Sequence, residues 1–138
     1  MTQSDAAFAI GKTHKVCQDY ALTGDAHATI PTVWLSDGCS SSPHTDIGAR
    51  LLTHVALDRV TDLATAFRAK NESQPGLLDG FIQANLTRVA VIAGEMGVRS
   101  DCLNATLMGL VSGADRNGER YLYSILYGDG ALVYGLST

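Results

Sequence analysis

Four aspartates lie where predicted strands meet turns, a placement that can bring carboxylates together. Asp19 opens one predicted strand, and Asp37 closes another just before Gly38. Asp101 precedes a later strand, and Asp129 lies between two glycines. Carboxylate oxygens, with backbone carbonyls accessible beside glycine, are the ligands that Mg²⁺ and Mn²⁺ prefer. Such an ion acidifies bound water and holds phosphoryl oxygens, so the pattern indicates metal-assisted phosphoryl chemistry.

Each aspartate taken alone has an ordinary structural alternative. An Asp-Gly step is common turn chemistry, which accounts for Asp37 and Asp129 without any ligand. Nothing about Asp19 or Asp101 taken alone indicates a metal ligand. The order and spacing of the surrounding motifs must therefore decide between metal ligands and turn residues.

The surrounding residues resemble the metal-dependent protein phosphatases of the type-2C (PPM) family. Four motifs in the family's order carry the similarity, and together they cover essentially the whole chain. Each motif is weak alone, but the ordered set is specific. The motifs are Gly11-Lys12-Thr13-His14 with Gln18-Asp19, residues 33–41 with Gly48-Ala49, Asn104-Ala105-Thr106-Leu107, and Tyr127-Gly128-Asp129-Gly130.

The resemblance implies a role for each matching position. Asp19 and Asp37 would bridge the ions of a binuclear Mn²⁺ or Mg²⁺ site, with the Gly38 carbonyl completing one ion's ligands. Asp101 falls where the family often has a ligand for a third ion. Asp129 matches a turn residue that is no ligand in the family, so it is expected to be structural. The implied reaction is direct hydrolysis of phosphoserine or phosphothreonine in a protein substrate by a metal-bound hydroxide.

The chain departs from the family pattern near the expected phosphate. His14 stands where the family commonly has an arginine, and an imidazolium holds an anion more weakly and only at lower pH. Gln18 replaces an acidic residue or Asn, and serines at 40–42 replace glycines. His44 follows Asp37 in the same loop, as a candidate general acid or phosphate contact or else a solvated loop residue. His14 and His44 are therefore the candidate catalytic side chains.

The family's remaining metal aspartates belong to segments that would follow Thr138. The chain is thus expected to be the N-terminal part of a longer phosphatase, or a shortened relative with an incomplete metal site. With Asp19 and Asp37 as core ligands, tight binding of two ions is not expected. The alternative functions are a catalytically inactive pseudophosphatase that binds phosphoproteins and a purely structural domain.

Cys39 follows an Asp-Gly step at a strand-to-helix turn, where a nucleophile could lie. A cysteine-based phosphatase needs an arginine at the end of its phosphate loop, but residues 40–49 contain none and Arg50 lies too far along. We therefore expect Cys39 to be a small buried residue. Cys17 and Cys102 show no partner signal, and the spacing argues against a disulfide framework or a cysteine zinc site.

The composition fits a single globular domain over residues 1–138. Hydrophobic residues make up 46% and charged residues 17%, which excludes intrinsic disorder. The net charge is −4 and no basic run occurs, so no nucleic acid partner is expected. Charged residues interrupt every apolar run before about 18 residues, and no signal peptide is visible. We therefore expect a cytoplasmic protein with no membrane partner.

Hydrophobic patterning predicts the element order β-β-β, α-α, β-β-β. Two amphipathic helices are predicted over 47–67 and 77–96, the second closed by Gly97. The fold class is α+β, a layered β-sandwich flanked by helices and incomplete at its C-terminus. An unfinished sheet edge would allow pairing with a second copy, as a homodimer. The predicted strands are 7–10, 20–23, 32–35, 106–111, 121–127 and 131–134.

Overall fold

The structure is a computed structural model that describes residues 5–13, 15–24, 30–70, 75–114 and 117–133. All strands in these ranges belong to one antiparallel sheet, in the order β1-β2-β3-β4. Each strand therefore pairs with its neighbour in the chain. The strands are β1 (Asp19–Thr23), β2 (Thr32–Asp37), β3 (Leu107–Ala114) and β4 (Arg120–Tyr127).

Helices lie between β2 and β3: α1 (Thr45–Asp58), α2 (Val60–Lys70), α3 (Pro75–Glu95) and a short 3₁₀ helix (Ser100–Leu103). The prediction of one helix over 47–67 was wrong, because the backbone leaves helical geometry at Arg59. That residue has φ −101° and ψ 6°, and its N–H donates to the carbonyl of Ala56.

The end of α3 follows the predicted glycine cap. Gly97 has a φ of +72°, which an L side chain rarely adopts. Its N–H donates to Gly94 O at 3.0 Å, and the N–H of Val98 donates to Ala93 O at 2.8 Å. These paired bonds form a Schellman motif, so the predicted C′ glycine is confirmed.

One face of the sheet packs against the helices and forms the hydrophobic core. Trp34 is fully buried there and stacks on Phe81 of α3, with ring centroids 5.9 Å apart. Gly109 pairs with Trp34 in β3, and a Cβ at that glycine would overlap the indole ring. Absence of a side chain at 109 thus makes room for the largest core residue. Other core members include Leu52, Val55, Leu63, Val89, Val111 and Ile125.

The opposite face of the sheet, which we call the outer face, carries every second strand residue. Its large hydrophobic side chains remain accessible: Leu35 is 36% exposed, Leu126 47% and Leu122 58%. Asp19 and Asp37 share the parity of Leu35 and therefore lie on the outer face too. The α+β class is confirmed, whereas the described ranges contain one sheet and not the second layer of the predicted sandwich.

The first and last predicted strands are not formed in the described residues. Residues 7–10 have no strand pairing, and the ring of Phe8 packs on Tyr20 with centroids 5.0 Å apart. Residues 131–133 are also irregular, and residue 134 lies outside the described ranges. The chain turns after β4 at Gly128, whose φ is +105°, and Gly130 then lies against the side chains of Met108 and Leu126 on the outer face. No helix in the described part of the chain is both long and apolar enough to cross a membrane.

Candidate active site

A cavity of ≈ 640 Å³ opens at the end of the sheet where β1 begins and β2 ends. Four separate segments of the chain supply its walls. Its lining residues are Gly11, Val16, Cys17, Gln18, Asp19, Asp37, Gly38, Cys39, Ser40, Asn104, Ala105, Thr106 and Asp129. All four motifs noted in the sequence therefore meet at one cavity.

Asp19 and Asp37 face each other directly across β1 and β2. The strand register pairs them, and the N–H of Gly38 donates to Gln18 O at 3.1 Å. Gln18 and Gly38 are thus the hydrogen-bonded pair next to Asp19 and Asp37. Since the two kinds of pair alternate along an antiparallel ladder, Asp19 and Asp37 form a non-hydrogen-bonded pair, in which Cα atoms are about 4.5 Å apart. Like charges at such a position repel each other. The fold thus forces two carboxylates together.

The pKa of Asp37 is raised above its usual 3.8 by this arrangement. The largest cause is a hydrogen bond with the side chain of Asp19, followed by partial burial. The negative charges of Asp19 and Asp129 raise it further. A raised carboxyl pKa means that the ionised pair is unfavourable without a positive partner.

Asp129 lies at the cavity as well as in a turn. It lines the cavity, and its charge acts on Asp37. The turn packs closely against Thr106, since a Cβ at Gly128 would lie only 2.8 Å from Thr106 Cγ2. The sequence indicated only turn chemistry here, since nothing in Gly-Asp-Gly shows that the segment after β4 lines the same cavity as the end of β2.

Thr106 fixes the backbone that carries Asp37. Its hydroxyl accepts a hydrogen bond from the Asp37 N–H at 3.0 Å, and its own N–H donates to Asp37 O at 2.9 Å. The hydroxyl of Ser36 donates to the Thr106 carbonyl. Because both the N–H and the carbonyl of Asp37 are hydrogen-bonded to Thr106, the backbone of Asp37 has little freedom to move.

The loop after Asp37 is tied to β1 and α1. The side chain of Gln18 donates to the hydroxyl of Thr45 at 2.9 Å, and that hydroxyl donates to Cys39 O at 3.1 Å. A Cβ at Gly38 would lie 2.8 Å from Thr45 Cβ and 2.9 Å from Gln18 O. Gly38 is therefore required by close packing, and Gln18 positions the loop.

Asp101 has a cation of its own. Its carboxylate pairs at 2.8 Å with the guanidinium of Arg99, the N-cap residue of the 3₁₀ helix. The helix lies against α1 at Gly48, where a Cβ would overlap Cys102 O. Asp101 is not one of the residues that line the cavity. Its role as a ligand for a third ion stays a prediction.

The structure describes one of the two candidate histidines. His14 lies outside the described residues. His44 is the N-cap of α1, with φ 59°, and its carbonyl accepts bonds from the N–H groups of Ile47 and Gly48 at 3.1 Å. His44 does not line the cavity, and its catalytic role stays a prediction.

Cys39 is exposed, so the expectation of a buried residue was wrong. It lies two residues beyond Asp37 and therefore faces the cavity side rather than the core. Hydrogen bonds from Ser41, whose Oγ lies 3.0 Å from the sulfur, hold the pKa of the Cys39 thiol below its usual value. Cys102, in contrast, is fully buried, and all three cysteines are free thiols.

The donor set suits a divalent cation that keeps much of its water. Asp19 and Asp37 offer hard oxygen ligands at one point, and the unfavourable ionised pair calls for positive charge. Mg²⁺ is commonly bound through one or two carboxylates while keeping several waters. Among the residues that the structure describes, no three His, Cys, Asp or Glu side chains cluster closely enough to hold an ion. The pair therefore fits part of a metal site.

Comparison with known proteins identifies the family. A family model described as protein phosphatase 2C matches residues 11–138, a range that includes every residue of the cavity. Neither the curated proteins nor the solved structures give a match. Since the family model spans nearly the whole chain, the protein belongs to the protein phosphatase 2C family.

Proposed function

We propose that the protein is a metal-dependent phosphatase of serine- and threonine-phosphorylated proteins, with the carboxylate pair as its metal-binding centre. Membership of the protein phosphatase 2C family supports phosphatase chemistry. The observation that carries the proposal is the direct opposition of Asp19 and Asp37 at the wall of one cavity.

Asp19 and Asp37, with the Gly38 carbonyl beside them, are the residues that would hold Mn²⁺ or Mg²⁺. When bound, such an ion supplies an acidified water and polarises a phosphoryl oxygen. The chain itself holds these ligands in place through Thr106 on one side and the Gln18–Thr45 contact on the other. A rigid ligand set reduces the reorganisation needed during reaction.

The sign of charge in the cavity also supports cation dependence. Asp19, Asp37 and Asp129 make the wall negative, which repels a phosphate monoester. A divalent ion reverses that sign locally. His14, His44 and the hydroxyl of Ser40 are candidates for contacts to the phosphate, and Ser40 lines the cavity. We expect phosphate binding and cation binding to depend on each other.

Protonation of the pair competes with the ion. Because Asp37 holds its proton to a higher pH than an ordinary carboxyl, that proton must leave before both oxygens can bind a cation. Metal affinity should therefore weaken as the pH falls toward the raised pKa of Asp37.

The test is hydrolysis of p-nitrophenyl phosphate and of phosphoserine and phosphothreonine peptides, with and without Mn²⁺. We expect Mn²⁺-dependent turnover that Asp37→Asn abolishes. Asp79→Asn is the matched control, since it makes the same change at an exposed position of α3. Activity that is equal in wild type and Asp37→Asn would overturn the assignment.

A second candidate is a pseudophosphatase that binds phosphoproteins without turnover. Within the described part of the chain, no three His, Cys, Asp or Glu side chains are arranged to hold a metal ion, which favours this candidate. Titration calorimetry that shows phosphopeptide binding without product release would support this function over catalysis.

A further inference from the structure

We propose that Cys17 and Cys39 form a reversible disulfide at the wall of the carboxylate cavity. Two features of the fold point to this pair: the register of β1 and β2, and the position of both residues on one cavity wall. The bond itself does not depend on the proposed phosphatase activity.

The register of the two strands sets the cysteines opposite each other. Asp19 pairs with Asp37, and the Gly38 N–H bond to Gln18 O at 3.1 Å continues the contact one step further. Residues 17 and 39 lie just outside the strands, and the same register continued one more step along both chains would place Cys17 opposite Cys39. Since Asp19 and Asp37 are a non-hydrogen-bonded pair, this position has the same character, with a Cα separation of about 4.5 Å in regular geometry. A disulfide needs about 4.4–6.8 Å between Cα atoms.

The side chains are placed on the same side of the contact. Cys17 and Cys39 each lie two residues from a member of the carboxylate pair, and both line its cavity. The sulfur of Cys17 is 3.4 Å from Asp19 O, and that of Cys39 is 3.0 Å from Ser41 Oγ. Cys17 has one weak hydrogen bond, whereas Cys39 has hydrogen bonds with both Ser41 and Ser42. All of these partners lie in the cysteine's own segment, so a rotation about χ1 would exchange them for the other sulfur.

Accessibility decides which sulfur reacts first. Cys39 is exposed and Cys17 is half-buried. With hydrogen peroxide as the oxidant, the Cys39 sulfur attacks one peroxide oxygen, giving a sulfenic acid and releasing water. The Cys17 sulfur then attacks the Cys39 sulfur and displaces the second water. In total, two thiols lose their hydrogens, one sulfur–sulfur bond forms, and the peroxide becomes two waters. A dithiol reductant reverses the bond by exchange.

The bond would lock the entrance to the carboxylate pair. It would join the segments directly before Asp19 and directly after Gly38, where the loop to α1 begins. It would also hold both sulfurs in the cavity wall beside the carboxylates. We expect the oxidised protein to bind divalent cations more weakly than the reduced protein, and this consequence rests on the proposed function.

The test uses the full chain at low concentration, oxidised with a small excess of hydrogen peroxide and then alkylated in denaturant. We expect the intact mass to fall by two hydrogens and two of the three thiols to escape alkylation. Peptide mapping should join Cys17 to Cys39. The bond should be absent in Cys17→Ser and Cys39→Ser and present in Cys102→Ala, whose residue is fully buried in the native chain. Circular dichroism checks that each variant is folded.

Other products would overturn the inference. These are added oxygen on Cys39 with Cys17 still alkylated, a bond to Cys102, or a disulfide between two chains on a non-reducing gel. Each outcome would show that the two sulfurs do not meet in the folded chain.

Thermal melts with Mn²⁺ separate this inference from the proposed function. We expect Mn²⁺ to raise the midpoint of the reduced protein, to lose that effect after oxidation, and to regain it with dithiothreitol. Cys17→Ser treated with peroxide should keep it. A mapped cross-link with no Mn²⁺ effect in the reduced protein would defeat the proposed function alone. A Mn²⁺ effect without any cross-link would defeat the disulfide alone.

Discussion

Two acidic sites in this protein differ in whether the chain supplies a cation to them. Asp101 meets the guanidinium of Arg99 at 2.8 Å, so its negative charge has a partner within the chain. Asp19 meets another carboxylate, Asp37, and the charge of Asp129 adds to theirs. The first site is balanced by one cation within the chain, with Asp101 Oδ1 buried and without a hydrogen-bond partner among the described residues. The second site has excess negative charge.

The difference shows where a cation from solution is needed. The Arg99–Asp101 pair, in which the Arg99 side chain is 83% exposed, contributes little to stability because water and salt screen it. An opposed carboxylate pair costs stability until a proton or a metal ion joins it. The energetic cost of the second site is thus linked to its capacity to bind a cation.

The largest effect is expected from Asp37→Asn, which removes one carboxylate from the pair. A bound metal ion contributes several kcal/mol to phosphoryl transfer, so activity should fall about 10²-fold or more. Urea unfolding should show stability that is unchanged or slightly higher without metal, since a repulsion is removed. A variant that loses stability and activity together would point to a structural role instead.

Gly38→Ala tests how tightly the pair is held. The new Cβ would meet Thr45 Cβ at 2.8 Å and the backbone oxygen of Gln18 at 2.9 Å, so one neighbour must shift. We expect a loss of about 1–3 kcal/mol in the free energy of unfolding, as for other overpacked sites. Gly80→Ala is the control, because a Cβ there meets nothing within 4 Å. Equal stability of the two variants would show that the loop adapts freely.

The raised pKa of Asp37 predicts a pH dependence of stability in the metal-free protein. Between the usual value of 3.8 and the raised value, the folded chain keeps a proton that the unfolded chain has lost. Stability from this group is therefore greatest at low pH, falls as pH rises through the raised pKa, and is level above it. Urea unfolding over a range of pH in the presence of a chelator, compared between wild type and Asp37→Asn, isolates this contribution. The same pH dependence of the free energy of unfolding in both proteins would contradict it.

The smallest effect is expected at the balanced site. Arg99→Ala removes a partner whose side chain is 83% exposed, so the free energy of unfolding should fall by less than about 1 kcal/mol. The loss should shrink further in high salt, because screening weakens exposed pairs. A salt-independent loss of several kcal/mol would mean that Asp101 depends on Arg99 far more than its exposure indicates.

The sequence predicted much of the scaffold because its signals are local. Alternation located the four observed strands to within a few residues, and Gly97 marked the end of α3. The motifs indicated the protein phosphatase 2C family, which the family comparison confirms. Arg59 was missed because the break in the helix depends on backbone geometry at one residue.

The sequence predicted site residues that lie in a recognisable local motif, but not the contacts between distant segments. Asp19 and Asp37 were singled out, but their direct opposition depends on register, which two distant strands set together. The same register, continued beyond the strand ends, is the basis for the proposed Cys17–Cys39 pair, which neither cysteine indicates alone. Asp129 reaches the cavity because β3 and β4 return the chain to the end of β2.

The most direct measurement is a thermal melt with and without Mn²⁺ for wild type, Asp19→Asn, Asp37→Asn and the control Asp79→Asn. At 100 times its dissociation constant, an ion that binds only the folded chain stabilises it by about 2.7 kcal/mol, which moves the midpoint by several degrees. We expect that shift in wild type and Asp79→Asn, and its loss in both pair variants. An equal shift in all four proteins, or none in wild type, would contradict a cation site at the carboxylate pair.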